Sequence, residues 1–478
     1  MTELLQTPAD WPAVLLSRRG GGDGSKAKPA GGRGGVTDGP AGKSTAAGRS
    51  AAETVALDGF DGLRRAIREL GPAAIVALIA DAGLRGRGGG GYRTADKWRA
   101  AAATQAPARY VVANGYGADP ASATDRTLME LDPIGVIEGT AIAAWAIGAE
   151  EAFIAVRAEA TEAIQALEAV LRAAGDAGFL GDDAFGSGRR VEIEVRPIQG
   201  AFMLGEETVL LKALDGKRGQ PEQRPPHPAT NGLRGMPTVV QNVQTLAAAA
   251  WIVRNGADAF RAVGLPEAPG TILVQVRGAD SAGVAEVPLG TPLRDIVGLA
   301  GGGKARKTKA VLVGGPSGGI LPAAALDTPY TFEAIRAAGG HIGSGSVVVA
   351  DDRACVVDLA RVLTRYCADE ACGKTIPCRI GTRRLAEIAE RLADGTSRAG
   401  DLGLAIDLSA DIVGSALCDH ERLATLPLMS GLRYFRDEID AHLERGICPA
   451  GVCRPISLAA AAGAKPTPGT KPAPSPAH

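Results

Sequence analysis

The sequence predicts an α/β protein, and three observations predict it. Helical and strand patterns alternate from residue 59 to residue 197, which implies a parallel or mixed sheet covered by helices. A compact set of strand-like runs around one helix follows, between residues 271 and 313. From Ala334 to Glu444 the apolar spacing is mostly helical, in several segments, and five of the seven cysteines lie there.

The elements follow in order. Gly59–Asp81 has helical spacing, with Leu63, Ile67, Ile75 and Leu78 on one face. Arg109–Ala113 (RYVVA) is a short apolar run between polar flanks and reads as a buried strand. Val136–Ala149 and Thr161–Ala174 read as helices, and Glu192–Pro197 alternates as a strand does. Thr271–Arg277, Ala285–Val287 and Ala310–Val313 read as short strands around a helix at Thr291–Ala300, an insert of roughly 60–70 residues on the usual strand and turn lengths. The expected division is a disordered N-terminal arm over 1–51, an α/β domain over 52–265, the β-rich insert over 266–333, a helical domain over 334–458 and a disordered Pro-rich tail over 459–478. Residues 19–50 of the arm hold almost no large apolar side chains, too few to offset the entropy of ordering, and the Pro-rich tail is equally ill-suited to folding.

Bulk properties exclude some functions. Lys and Arg number 52 against 53 Asp and Glu, and aromatics are 4% of the chain, so neither a polyanion-binding surface nor a supply of base-stacking rings is present. MTELLQTPAD lacks the pattern of a signal peptide, and the most apolar window, Ile134–Ala149, is interrupted by Glu138 and too short to span a bilayer. The expectation is a cytoplasmic protein, free or peripheral to a membrane complex, with no nucleic-acid partner and no direct membrane insertion. Seven cysteines in such a chain point to metal ligands, redox groups or core thiols rather than disulfides.

Three motifs carry chemistry. GLRGRGGGGYRTADKW, residues 83–98, is a Gly-rich loop with basic neighbours; its backbone amides can approach a phosphate where no Cβ intervenes, although a flexible loop would look the same. ACGKTIPCR supplies Cys372 and Cys378, and Cys418 follows forty residues later. A tight pair plus a distant thiol suits an iron–sulfur cluster, the alternative being core thiols. AHLERGICPAGVC places His442, Cys448 and Cys453 at close spacing, a candidate zinc site short of a fourth ligand; the alternative is a turn with two unligated thiols.

From about residue 58 to 445, the chain resembles the NADH-binding flavoprotein subunit of respiratory complex I and the related diaphorase subunits of soluble hydrogenases and NAD-linked formate dehydrogenases. GLRGRGGGGYRTADKW resembles the family's GLRGRGGAGFPTGxKW, GAFMLGEETVLLKALDGKRGQP its GAYxCGEETALLxSLEGxRGxP, and PHPATNGLRGMPTVVQNVQTLA its PFPAxxGLxGxPTxxNNVETLA. VLVGGPSGGILP and CGKTIPCRIGTRRL resemble the two later motifs in the same order. The resemblance implies a Rossmann-like FMN-binding domain, a ubiquitin-like β-grasp insert of the soluble-ligand-binding type, and a C-terminal helical bundle holding a [4Fe–4S] cluster. It implies hydride transfer from NADH to FMN and onward single-electron transfer to a separate iron–sulfur subunit or ferredoxin. Its implied cofactor contacts are Gly86, Arg87, Gly88, Gly89, Gly90, Gly91, Tyr92, Lys97, Asn114, Asp119, Gly205, Glu206, Glu207, Thr208, Asn242 and Thr245, with Lys97 and Glu207 nearest the chemistry and Cys372, Cys378 and Cys418 as cluster ligands.

The sequence departs from the family at three places. Thr375 stands where a cluster cysteine is expected, which leaves a [3Fe–4S] cluster, a [4Fe–4S] cluster with an unusual fourth ligand, or no cluster. Tyr116 and Gly117 replace the Asp–Glu pair of the family's acidic loop in NGYGADPASATDR. Tyr92, Arg93, Ala95, Gln241 and Gln244 are milder changes. These departures motivate two alternatives: a divergent scaffold subunit without NADH chemistry, and a flavoprotein that takes electrons from ferredoxin.

Overall fold

The computed structural model describes residues 2–20, 50–278, 280–301 and 307–453. Four strands, β1 (Tyr110–Gly115), β2 (Glu151–Arg157), β3 (Glu192–Ile198) and β4 (Thr238–Asn242), form a parallel sheet in the order β3-β2-β1-β4. β1 and β2 are continuous apolar runs because helices cover both faces of a parallel sheet. The chain steps outward from β1 to β2 and β3, then returns to pair β4 with the other edge of β1. Connections therefore diverge at the carboxyl ends of β1 and β4, where a crevice opens in sheets of this kind. Asn114 and Asn242 are register partners at that opening.

The helix Pro133–Ile147 is set by Pro133 in its first turn, Asp132 capping Gly135 N–H at 2.9 Å, and Gly148 in the left-handed region at its end. It is buried on nearly every side. Gly139 allows this: a Cβ there would lie 1.9 Å from the carbonyl oxygen of Leu246, so only glycine lets the helix Val243–Asn255 pack so close.

A short hairpin, β5 (Gly264–Leu265) and β6 (Ala268–Pro269), leads into a second, mixed sheet. Its strands are β7 (Thr271–Arg277), β8 (Ala282–Pro288), β9 (Thr308–Val313), β10 (Gly319–Pro322) and β11 (Ser346–Asp351), ordered β10-β9-β11-β7-β8. The helix Leu293–Gly298 packs its buried Leu293, Ile296 and Val297 into this unit's own core. Helices from Val356 to Arg445 form a third body, whose apolar core takes in Ala310, Leu312 and Ile320 of the second sheet.

Two expected boundaries change. β11 lies inside the segment assigned to the helical domain, yet it pairs with β7 and β9, so the second sheet closes only at Asp351. The arm predicted over 1–51 is ordered across 2–18. Leu5 N–H donates to Val284 O at 2.9 Å, and the buried Glu286 carboxylate accepts the N–H groups of Val14, Leu15 and Leu16 at 2.7, 2.7 and 3.0 Å. Arg18 then reaches Asp58, Asp132 and the fully buried Glu138, so the charge that interrupted the apolar window is paired. Residues 21–49 and the tail expected over 459–478 lie outside the described residues.

Candidate functional site

A cleft of about 290 Å³ opens at the carboxyl ends of β1 and β4, roofed by loops of the second sheet and by the helical body. The Gly-rich loop forms one wall. It is pinched shut by Gly86 N–H donating to Tyr92 O at 2.8 Å and Thr94 N–H donating to Leu84 O at 3.0 Å. Gly86, Gly88, Gly90 and Gly91 face the cleft with bare backbone. Gly91 holds φ at +65°, and a Cβ there would sit 2.8 Å from the Phe332 ring. Gly89 turns away from the cleft against Gly343, whose carbonyl would lie 2.9 Å from a Cβ. Tyr92 stands on the rim, 63% exposed.

The opposite wall is the loop Gly205–Glu207 and the start of the helix Glu207–Leu214. Glu206 is the N-cap: its Oε2 accepts Thr208 N–H at 2.8 Å and Val209 N–H at 2.9 Å, while its Oε1 meets Arg224. Glu207 accepts from Lys97 Nζ at 2.7 Å and pairs with Arg224 at 3.1 Å. Burial pushes its carboxyl pKa up, but the two cations more than offset this and hold it below the usual range. Asn114 joins this wall to β1 by donating to Gly205 O at 3.3 Å.

At the floor, Asn242 caps the helix Val243–Asn255 and donates to Asp125 Oδ2 at 2.8 Å; Gln244 Nε2 donates to Asp125 Oδ1 at 2.8 Å. Burial raises the Asp125 pKa to about 6, against those two amides. Asp119 accepts from Ala121 N–H and Ser344 Oγ, and burial raises its carboxyl above the usual value too. His341 also lines the cleft, its imidazole pKa lowered by burial. Neither Asp125 nor His341 belongs to the expected contact set; Asp125 does lie in NGYGADPASATDR, the segment that resembles the family's acidic loop, whereas nothing local marks His341.

Several expected contacts have other work. The Arg87 guanidinium is buried and donates to three carbonyls, Thr271 at 2.9 Å, Arg85 at 2.8 Å and Pro269 at 2.7 Å. It fastens the loop to the second sheet, and burial lowers its pKa to about 9. Thr245 Oγ1 accepts Arg87 N–H at 2.9 Å behind the loop. Thr208 Oγ1 donates to Glu206 and accepts Glu222 N–H, a brace for the cap rather than a cleft contact. Tyr116, a stacking candidate in the sequence, is buried with Met203, Leu204 and Cys418, and its ring lies under Arg157.

The helical body brings Cys372, Cys378 and Cys418 together. Cys372 sits in the loop after the helix Val356–Asp369, Cys378 in the turn Pro377–Gly381, and Cys418 caps the short helix Asp419–Leu423. Cys372 packs against the small apolar cluster that holds Cys418, and burial beside those two thiols raises the Cys378 pKa. Three thiols brought together from separate segments fit an iron–sulfur cluster. Cys367 is a core thiol, fully buried, with its Sγ 3.5 Å from Pro316 O. Asp419 and His420, directly after Cys418, line the cleft, so the two sites share a wall.

His442, Cys448 and Cys453 also converge, and the fourth ligand that the sequence spacing lacks is Cys355. The four ligand atoms lie within 4.8 Å of one another. Cys355 Sγ is 3.6 Å from His442 Nε2 and 3.6 Å from Cys453 Sγ, near the edge lengths of about 3.5–3.8 Å that tetrahedral zinc bond lengths give. His442 Nδ1 donates to Glu438 O at 2.7 Å, which leaves Nε2 free to ligate.

A family model of the Nuo51 FMN-binding domain matches residues 79–251, and one of the NADH-ubiquinone oxidoreductase-F iron–sulfur binding region matches residues 358–442. The chain is 40% identical over 402 residues to the HndC subunit of the NADP-reducing hydrogenase of Solidesulfovibrio fructosivorans, covering 84% of this chain and 82% of that one. It is 38% identical over 394 residues to the F 2 subunit of the NADH-quinone oxidoreductase of Rhizobium meliloti, covering 82% and 94%. Among solved structures, an NAD+-reducing [NiFe]-hydrogenase in the H2-reduced state matches with a TM-score of 0.73 and 35% identity over 80% of this chain. The chain spans 64% of that hydrogenase chain's length.

Proposed function

This chain belongs to the family of the NADH-quinone oxidoreductase F subunits and their hydrogenase counterparts, and on that premise we propose that it oxidises NADH at an FMN held in the cleft and passes electrons through an iron–sulfur cluster to a separate protein. The observation that carries the proposal is the shared wall. A cleft at the sheet's crevice, walled by bare glycine backbone on one side and the Lys97–Glu207 pair on the other, adjoins the three-cysteine site through Cys418, Asp419 and His420.

When bound, FMN supplies the conversion between a two-electron hydride donor and a one-electron acceptor. The chain's own residues do the rest. The backbone of Gly86, Gly88, Gly90 and Gly91 admits the phosphate and flavin edge closely. Lys97, oriented by Glu207, would supply an ammonium to the bound flavin. Asn114 and Asn242 offer amide groups at the strand ends, and Tyr92 presents an exposed ring to the nicotinamide side. Cys372, Cys378 and Cys418 hold the cluster. The family reading makes the four-stranded unit the Rossmann-like flavin domain and the five-stranded unit, with its single helix, the β-grasp insert. Ile376 and Ile380, 66% and 50% exposed on the cluster loop, give an electron-accepting iron–sulfur subunit or ferredoxin an apolar place to dock. No helix among the described residues is long and apolar enough to cross a membrane, in line with a peripheral subunit.

NADH-dependent reduction of ferricyanide or a viologen by FMN-loaded protein tests the proposal. Stoichiometric FMN without turnover would favour the scaffold reading, and dye reduction by reduced ferredoxin alone would favour reversed flow.

The second metal centre is zinc in this reading. Its Cys3His set matches a closed structural site, with the His442–Glu438 hydrogen bond fixing the ring. Cys355 caps the helix Val356–Asp369, so zinc would staple the chain's last described turn to the start of the helical body. Metal analysis of purified protein should find stoichiometric zinc that Cys355→Ser and Cys448→Ser both remove. Zinc retained in Cys355→Ser would refute the assignment.

A further inference from the structure

The corner of the cluster site that lacks a thiolate is occupied by Thr375, and the structure brings a carboxylate to it. Glu421 is 1% exposed. Its Oε1 accepts from Thr375 Oγ1 at 2.5 Å, and its Oε2 accepts from Leu417 N–H at 2.8 Å. The cations beside it are turned elsewhere: Arg422 pairs with Asp419 at 2.9 Å, and Lys374 Nζ donates to Pro221 O at 2.5 Å. No ion pair to Glu421 forms among the described residues. A buried carboxylate with two neutral donors and no cation is expensive, and coordination to a metal ion is one way to offset that cost.

Its surroundings say which metal. Glu421 lies three residues after Cys418, which is the N-cap of the same short helix. After burial, its charge is the largest influence that raises the Cys378 thiol pKa. Thr375 stands three residues before Cys378, whose N–H donates back to the Thr375 hydroxyl at 3.3 Å. The carboxylate is therefore held between Thr375, at the corner without a cysteine, and Leu417, the residue before Cys418. A neutral hydroxyl is a poor iron ligand, whereas a carboxylate is anionic. Three thiolates and one carboxylate also carry the same ligand charge as four thiolates.

We propose that Glu421 is the fourth ligand of the iron–sulfur cluster, binding iron through a carboxylate oxygen, with Thr375 as the positioning residue that aims it. The proposal rests on the reading that Cys372, Cys378 and Cys418 hold a cluster.

The test is anaerobic reconstitution of the full chain with ferrous iron and sulfide, followed by iron and sulfide analysis and EPR of the oxidised and dithionite-reduced protein. Wild type should assemble a four-iron cluster, silent in EPR when oxidised. Glu421→Gln keeps the size of the side chain and removes its charge; it should convert the product to a three-iron cluster with an oxidised-state EPR signal. Adding Thr375→Cys to Glu421→Gln should restore the four-iron form, which also shows that the variant folds. FMN content serves as a second measure of folding. A wild-type four-iron cluster unchanged in count and spectrum by Glu421→Gln would overturn the proposal. A wild-type three-iron cluster would overturn it while leaving the three-cysteine reading intact; no iron in wild type would overturn both.

Discussion

Replacing Arg87 with Met separates two accounts of the Gly-rich loop. If the guanidinium served a bound phosphate, its loss would weaken FMN binding and spare the empty protein. In the structure it instead satisfies the carbonyls of Thr271, Arg85 and Pro269 at 2.7–2.9 Å, with no carboxylate nearby. Arg87→Met strands three buried acceptors. At about 1–3 kcal/mol for each unsatisfied group, the gross cost is about 3–9 kcal/mol. Relief from burying an uncompensated cation cancels part of that, leaving about 3 kcal/mol at the low end of the range. With about 2 cal/mol/K of unfolding entropy per residue over about 400 folded residues, this lowers Tm by about 4 °C. Differential scanning of FMN-free protein measures it, alongside FMN affinity from flavin fluorescence. An unchanged Tm with FMN affinity weakened tenfold or more would refute the reasoning and put the guanidinium on the ligand.

Two further outcomes are expected. Asp125 has its folded pKa raised from 3.8 to about 6, so the folded state favours the protonated carboxyl. Its stabilising contribution is full below about pH 4 and is lost as pH rises through about 6, amounting to about 3 kcal/mol for a shift of about two units. Denaturant titrations of wild type and Asp125→Ala should therefore differ by a pH-dependent amount between pH 4 and 6 and by a constant amount above; a difference independent of pH counts against it. Lys97→Met removes the cation paired with Glu207 at the cleft wall. Losing a charge-assisted contact of about 1.5–3 kcal/mol should weaken FMN binding by about 10–100-fold; unchanged affinity in a fluorescence titration would place Lys97 outside the flavin site.

What the sequence revealed depended on how local each feature is. The Gly-rich loop was legible because close backbone approach is built from neighbouring residues, and the loop at Glu206–Glu207 because its run of residues resembles the family motif. β1 was legible as an apolar run between polar flanks, and so were the helices at Pro133–Ile147 and Thr161–Asp176. Features fixed by distant partners were not. The acceptors of Arg87 come from β7 and the β5–β6 hairpin, so its charge reads as ligand-facing when only the loop is considered. Cys355 is 87 residues from His442, beyond any ligand-spacing pattern. Residues 2–18 show no helix or strand pattern of their own, and their place is set by Glu286, far along the chain, which accepts the amides of Val14, Leu15 and Leu16. β11 sits among helical patterns and is a strand because β7 and β9 leave it a place between them.

The most direct test of NADH oxidation at this cleft is an anaerobic titration of the FMN- and iron-loaded protein with NADH, followed by visible absorbance and EPR. Bleaching of the flavin band, followed by the signal of a reduced cluster, is the result predicted here. A flavin that stays oxidised under excess NADH, yet bleaches with dithionite, would contradict it.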